Sequence, residues 1–249
     1  MNERAPFTPE DLYELGELFA LADRVVPMRD VAKGDTGPGT IGLRHDVDDN
    51  AGSLDTALRL GEWEFERGIA STYYLLHGAH YWGDGMLIAA GELEEQGHEI
   101  GLHVNAIAEA LRHRRDPAIL VDEALSYLRT AVRVRGCVAH GDGLCRNRSG
   151  ELVFVNDEIF SDSKRKIGSP TRTIRYRGFS LRLAPLPLAT FGLEYDAAWL
   201  SRGDYLSDSG GEWSQPFEDV LDAWPRRGQL HVLVHPDWWS AAFPVGVAA

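Results

Sequence analysis

The first 140 residues alternate short apolar segments with longer amphipathic ones, and the connections between them are short. Strands are predicted at 41–46, 70–76, 98–103 and 136–140, and helices at 53–67, 84–96 and 117–134. A strand–helix order that repeats with short connections is typical of a parallel sheet or barrel. The pattern therefore predicts an α/β fold.

The rest of the chain is less regular but is compatible with the same class. A first helix begins at Thr8, short strands are predicted at 151–156 and 193–197, a helix at 216–224, and a last strand at 229–235. No internal repeat, low-complexity segment or linker divides the chain. We expect one domain over residues 1–249, with an N-terminal helix and lead-in at 1–39 and a barrel at 40–240.

Charge and composition narrow the classes of partner. The 249 residues carry a formal net charge of −13, which argues against a nucleic-acid binder and against docking on anionic membranes. No apolar run approaches the roughly 20 residues of a membrane span, and the start lacks a signal-peptide pattern. The two cysteines, Cys137 and Cys145, are too few for a disulfide scaffold, which predicts reduced thiols and a cytoplasmic location.

Histidine and aspartate follow four of the predicted strands. Asp46 and Asp48 end the first, His103 the third, His140 the fourth and His235 the last. Functional groups of parallel α/β folds lie at the carboxyl ends of strands. We expect these five side chains to meet there.

Strand periodicity places Asp46 and Asp48 on one face. Two neighbouring carboxylates repel each other unless a metal or a shared proton relieves the charge. The alternative is an exposed acidic turn, because Asp49 follows directly. His98 and His103 point to opposite faces, so only His103 is expected at the site. His98 and His231 are expected to pack inside the fold.

Asp48, His103 and His140 would supply one oxygen and two nitrogen ligands to a metal with open positions for water. Zn²⁺ suits such a set, and nickel, cobalt or iron are alternatives. Asp46 could then act as general base and His235 as general acid. These parts describe metal-assisted hydrolysis of an amide or ester.

Four segments, in this order, resemble the polysaccharide deacetylase family (NodB-homology, carbohydrate esterase family 4). They are Gly42-Leu43-Arg44-His45-Asp46-Val47-Asp48, Ala70-Ser71-Thr72-Tyr73-Tyr74, Gly97-His98-Glu99-Ile100-Gly101-Leu102-His103 and Leu233-Val234-His235. The resemblance implies a distorted (β/α)₇ barrel, a divalent metal, and removal of an N- or O-acyl group from a sugar. By position, Asp46 resembles the base, Asp48 and His103 metal ligands, and His235 the acid. The first segment also resembles a related deformylase of lipid-linked aminoarabinose.

The sequence departs from the family pattern at one metal ligand. A second histidine is expected four residues after His103, but Ile107 stands there. We expect His140 to replace it. The alternatives are Asn105 as a weak ligand, or a lost metal site and a catalytically silent carbohydrate-binding protein. The arginine- and proline-containing segment that orients the base in the family is not apparent.

Features of the second half point to the substrate. Residues 163–182 carry seven basic side chains and no acid. They form either an electropositive flap for a phosphate-linked substrate or a solvated loop. Asp208, Trp213 and Trp238 are predicted to bind substrate. Alternatively, Asp208 or Asp196 orients His235, and Trp238 covers the barrel end.

The predicted function is therefore metal-dependent removal of an N-acyl group, with acetyl as the first candidate, from a sugar or a sugar-containing intermediate. The substrate would be a small molecule or an oligosaccharide. A deacylase or deformylase of a non-polymeric amide is the alternative within the same chemistry. Fold alone does not choose between these substrates.

Overall fold

The computed structural model describes residues 6–34, 36–200, 203–224 and 228–243. In this part of the chain, the strands are β1 (Arg24–Val26), β2 (Thr40–Val47), β3 (Thr72–Leu76), β4 (Glu99–Val104), β5 (Val134–Ala139), β6 (Arg172–Tyr176), β7 (Phe179–Leu183), β8 (Tyr195–Asp196), β9 (Asp204–Ser207) and β10 (Leu230–Val234). The helices are α1 (Pro9–Ala20), α2 (Met28–Ala32), α3 (Ser53–Phe65), α4 (Asp84–Glu95), α5 (Ala106–His113), α6 (Pro117–Leu128) and α7 (Phe217–Ala223). The ends of the expected domain, 1–5 and 244–249, lie outside the described residues.

Eight strands form one parallel sheet. Its order is β8-β5-β4-β3-β2-β10-β9, and β1 pairs with β2 beside this path. The two end strands, β8 and β9, do not pair with each other among the described residues, so the curled sheet is a half-barrel. The predicted α/β class and barrel-type parallel sheet are confirmed. No described helix has the length and hydrophobicity needed to cross a bilayer.

Local sequence signals explain where the best-defined helices begin. Thr8 and Asp11 form a capping box at the start of α1, with Pro9 in its first turn. The Asp116 side chain accepts a hydrogen bond from the backbone N–H of Ala118 at the start of α6, and Pro117 follows it directly. Such side chains satisfy backbone N–H groups that have no partner within the helix.

Several predicted boundaries were wrong. The segment 151–156 is not a strand: it contributes only an isolated bridge, Arg146 with Leu152, and a 3₁₀ turn follows at Asn156–Ile159. The Glu158 side chain accepts the backbone N–H of Val155, which diverts that group from a ladder. Helix α6 ends at Leu128 rather than at residue 134. Helix α5 was not predicted. The lead-in contains β1, which belongs to the sheet.

The basic segment contains an antiparallel hairpin, β6–β7, which the sequence analysis also missed. Arg177 and Gly178, both with positive φ, form its two-residue turn, as primed hairpin turns require. Ile174, Leu181 and Leu183 bury one face of the hairpin in the main apolar cluster. Half of the segment is therefore anchored on the core rather than being a solvated loop.

Aromatic rings fill the inside of the half-barrel. Tyr74 and Tyr195 are buried there, and their hydroxyl groups lie 3.2 Å apart. A Cβ at Gly101 would collide with the ring of Tyr74, and one at Gly136 with the ring of Tyr195. Close packing of this kind requires glycine on the facing strands. The space that is left open lies at the carboxyl ends of the strands.

Candidate active site

Four strand ends converge on a cavity of about 420 Å³. Asp46 and Asp48 reach it from β2, His103 from β4, His140 from the end of β5 and His235 from the end of β10. The expectation that these five side chains meet at one end of the sheet agrees with their positions. Their chemical roles remain a prediction.

Asp48, His103 and His140 bring three potential ligand atoms together. Oδ1 of Asp48 lies 3.2 Å from Nε2 of His103 and 3.1 Å from Nδ1 of His140. The two ring nitrogens are 3.2 Å apart. Among the described residues, Asp48, His103 and His140 are the histidine, cysteine or acidic side chains that lie close enough together to hold a metal ion.

The three residues fit a first-row divalent ion. Tetrahedral ligands about 2.0–2.2 Å from a metal are roughly 3.3–3.6 Å from one another, close to the separations seen here. Oδ1 of Asp48 is buried and has no well-directed hydrogen bond although two ring nitrogens face it. The two nitrogens and the buried oxygen therefore lie close together with an unsatisfied carboxylate oxygen among them, which a cation would satisfy.

The electrostatics of Asp48, His103 and His140 favour binding of a cation. Burial raises the pKa of Asp48, but the close contacts of its carboxylate with His103 and His140 outweigh burial and hold that pKa well below its ordinary range. Burial lowers the pKa of His140, and the close contact with Asp48 outweighs burial, so the net shift is upward. The carboxylate is therefore ionised at neutral pH and attracts a positive charge.

Backbone contacts orient both histidines. Nδ1 of His103 lies 3.1 Å from the carbonyl oxygen of Val138, so a proton on Nδ1 leaves Nε2 as the lone-pair atom facing Asp48. His140 is held at both ends of its peptide: its N–H donates to Val104 O at 2.9 Å, and its carbonyl accepts from Asn156 Nδ2 at 2.8 Å. Such contacts fix tautomer and ring direction.

Asn156 was not singled out from the sequence. It is fully buried, and its Oδ1 accepts the backbone N–H groups of Ile107 and Ala108 at the start of α5. Its Nδ2 also donates to Asn105 Oδ1 at 3.0 Å. One amide thus ties the His140 loop to the helix that follows β4.

The position of Ile107 explains the departure from the family pattern. Ile107 is fully buried in the main apolar cluster. Asn105, the weak ligand considered as an alternative, has its side chain engaged by Asp142 and Asn156. His140 directly follows β5, the strand next to that of His103, and its Nδ1 lies close to Asp48 and His103.

Asp46 lies beside an arginine that the sequence analysis did not assign. Nη2 of Arg44 is 3.5 Å from Oδ2 of Asp46, and both residues are buried. Burial lowers the pKa of Arg44, and Asp46 and Tyr205 more than compensate, so the guanidinium stays charged. Arg44 and Asp46 are two residues apart on β2, so their side chains share one face of the strand. This spacing is the sequence signal that could have revealed the pair.

His235 is held by Asp208. Oδ1 of Asp208 lies 2.6 Å from Nδ1 of His235, and Trp239 Nε1 donates to Oδ2 at 2.8 Å. Burial lowers the pKa of His235, but the hydrogen bond to Asp208 outweighs it and raises the pKa to about 9. The imidazole is thus protonated at neutral pH, with Nε2 as its remaining donor.

The predicted substrate-binding residues lie elsewhere. Asp208 is fully buried, and its carboxylate contacts His235 and Trp239; its role towards substrate stays a prediction. Trp213 and Trp238 pack in the apolar cluster that contains Phe7 and are not among the residues lining the cavity. Apolar burial at the barrel end explains their position.

Of the two acids considered as partners of His235, only Asp208 contacts it. Asp196 accepts the backbone N–H of Ala198 instead. His98 packs against Ser71 and Gly61, and His231 lies beside Gln229, as interior residues.

His77 is a further histidine near the group, and the sequence analysis omitted it although it directly follows β3. It is buried, and its Nε2 has no hydrogen-bond partner among the described residues. Burial, and the charges of His103 and His140, lower its pKa to about 4. The imidazole of His77 is therefore neutral at pH 7, next to the Asp48–His103–His140 group.

No protein-family model matches the chain, and no curated protein matches it. Among solved structures, the chain is similar to a mutant of peptidoglycan deacetylase PdaC from Bacillus subtilis, with a TM-score of 0.40 and 12% sequence identity. The match covers 81% of this chain and 78% of that chain. The functional conclusion is therefore carried by the residues of this chain.

Proposed function

We propose that this protein is a metal-dependent hydrolase that removes an N-acyl group from a sugar-containing substrate. The observation that carries the proposal is the Asp48–His103–His140 group, in which three ligand atoms lie 3.1–3.2 Å apart. A divalent ion held there, with Zn²⁺ the first candidate, would polarise the acyl carbonyl and favour ionisation of a water molecule. The resemblance to polysaccharide deacetylases supplies the acylated sugar as substrate class.

Asp46 is proposed as the general base. Its Oδ1 is buried without a hydrogen-bond partner among the described residues, while Arg44 lies beside Oδ2. Arg44 therefore restrains the carboxylate, and Oδ1 is free to accept a proton from water as the water oxygen bonds to the acyl carbon.

His235 is proposed as the general acid. Because Asp208 keeps its imidazole protonated, Nε2 can give a proton to the amide nitrogen as the carbon–nitrogen bond breaks. The protons balance: water and amide yield a carboxylic acid and an amine, which become a carboxylate and an ammonium group at neutral pH, and the proton that Asp46 accepts replaces the one that His235 gives.

The test is metal content and deacylation measured together. Purified wild-type protein should hold about one first-row divalent ion per chain and release acetate from an N-acetylated amino sugar. Replacement of His140 by alanine should remove the metal and the activity. The matched control is His113→Ala, which removes an exposed histidine outside the cavity.

The outcomes separate the candidate functions. A wild-type protein that neither contains nor binds added zinc would overturn the proposal. Activity on simple acyl amides but not on N-acetyl amino sugars would support the proposed hydrolase reaction and contradict the proposed sugar substrate.

A further inference from the structure

The basic segment contributes one side chain to the catalytic cavity. Arg165 lines the same cavity as Asp46, Asp48 and His235, and its side chain is exposed. The segment around it, residues 163–182, has seven basic residues and no acid, in a chain of net charge −13. A cluster of basic side chains at the mouth of a cavity, in a chain that is acidic as a whole, favours an anionic ligand group.

The position of Arg165 is fixed by contacts on both sides. Its guanidinium lies over the ring of Trp199, 5.4 Å from the ring centre. Its backbone N–H donates to Oγ of the buried Ser163, and β6 follows a few residues later on the apolar core. An arginine stacked on an aromatic ring loses little further freedom when it binds an anion.

The side-chain N–H donors of Arg165 are not used by the described part of the chain. Its guanidinium makes no ion pair or hydrogen bond with any described residue, in contrast to Arg172, which pairs with Glu158 at 2.7 Å. Two buried acids, Asp157 and Asp196, feel the charge of Arg165, which lowers the pKa of each; burial outweighs that effect, so both pKa values are raised, that of Asp196 to about 7. Neither carboxylate contacts the guanidinium within ion-pair distance, so its N–H donors stay available to a ligand.

Resting on the proposed deacylase function, we infer that the substrate carries an anionic oxygen group, phosphate or carboxylate, which Arg165 binds at the cavity mouth while the acyl group lies at the metal-ligand end. Guanidinium is suited to both groups because its paired N–H donors match two oxygens of either. Arg44, the other arginine that lines the cavity, lies beside Asp46, so Arg165 is the arginine left to bind a ligand.

Binding of three related sugars tests this inference without relying on turnover. The probes are neutral N-acetylglucosamine, N-acetylglucosamine 1-phosphate and the carboxylate-bearing N-acetylmuramic acid, titrated by calorimetry at fixed ionic strength. The wild type should bind at least one anionic sugar about tenfold more tightly than the neutral one. Arg165→Gln should remove that preference and leave the neutral sugar unchanged, and Arg165→Lys should keep part of it.

The matched control is Arg175→Gln, which removes one exposed charge from β6 outside the cavity lining and should behave as the wild type. Equal affinity for all three sugars, or an unchanged preference in Arg165→Gln, would overturn the inference. Hydrolysis and metal content are scored separately. An anion preference without deacylation would reject the proposed function alone, whereas deacylation without an anion preference would reject the inference alone.

Discussion

The carboxylate of Asp208 is fully buried and contacts His235 twice, at the backbone N–H (2.9–3.0 Å) and at Nδ1 of the ring (2.6 Å). One side chain thereby fixes the direction of the imidazole and its charge. The end of β10 and the residue that follows β9 are joined at the point where the leaving group would be protonated. The first prediction tests this contact.

Asp208→Asn should move the alkaline limit of activity to lower pH. The pKa of His235 is raised to about 9 from its ordinary 6.5, so an acid that must be protonated works until pH rises through about 9. Without the Asp208 charge, burial still lowers that pKa and only Asp46 and Asp48 raise it, so kcat should begin to fall at a lower pH than in the wild type. Profiles of kcat against pH decide this, with the exposed Asp219→Asn as control. An unmoved limit would refute the role of Asp208.

Asp46→Asn should separate the base from the metal ligands. Because Asp46 is not part of the Asp48–His103–His140 group, we expect full metal content but a kcat lower by about 10²–10⁴-fold. Asp48→Asn, by contrast, should lower metal content and activity together. Metal analysis and kcat measured on the same preparations distinguish the two variants. Loss of metal in Asp46→Asn would contradict the assignment.

Ile107→His should not restore the family's second histidine as a ligand. Ile107 is fully buried among apolar side chains, so an imidazole there loses its hydration without a partner. We expect about 2–4 kcal/mol of lost stability in urea unfolding and no gain in zinc affinity. Ile107→Val is the control and should cost about 0.5–1.5 kcal/mol. Tighter zinc binding by the histidine variant would show that position 107 can reach the metal.

Glu64→Gln should destabilise the sheet from its outer side. Glu64 of α3 is fully buried and contacts His45 at 2.7 Å, Ser71 at 2.6 Å and Tyr73 at 3.1 Å. Removing one charge of such a network should cost about 3–5 kcal/mol near pH 7 by urea unfolding. Glu66→Gln, at an exposed site, is the control.

The pH dependence of that loss has a defined sign. Burial raises the pKa of Glu64, but His45 and the other partners outweigh it, so the folded-state pKa lies below the ordinary 4.5. Its stabilising contribution is therefore complete above about 4.5 and is lost as pH falls through the folded-state pKa. The difference between wild type and Glu64→Gln should shrink in that acidic range. A difference that grows instead would mean that Glu64 is protonated in the folded protein.

Sequence reasoning located the strand ends that carry Asp46, Asp48, His103, His140 and His235 because parallel strands present their carboxyl ends at one edge. Alternation along β2 placed both carboxylates on the inner face. The hairpin β6–β7, helix α5 and the short strands β1 and β9 were missed because each element has at most eight residues, too few for its periodicity to stand out.

The sequence by itself determined the parallel α/β architecture and the five aspartate and histidine side chains that meet in the cavity, since both follow from local periodicity and from the direction of parallel strands. Only the tertiary structure decided which partner each residue has. Arg44 beside Asp46, Asp208 behind His235, and Arg165 at the cavity mouth depend on contacts between side chains. Such contacts are set by how the strands and loops pack, and local patterns do not encode them.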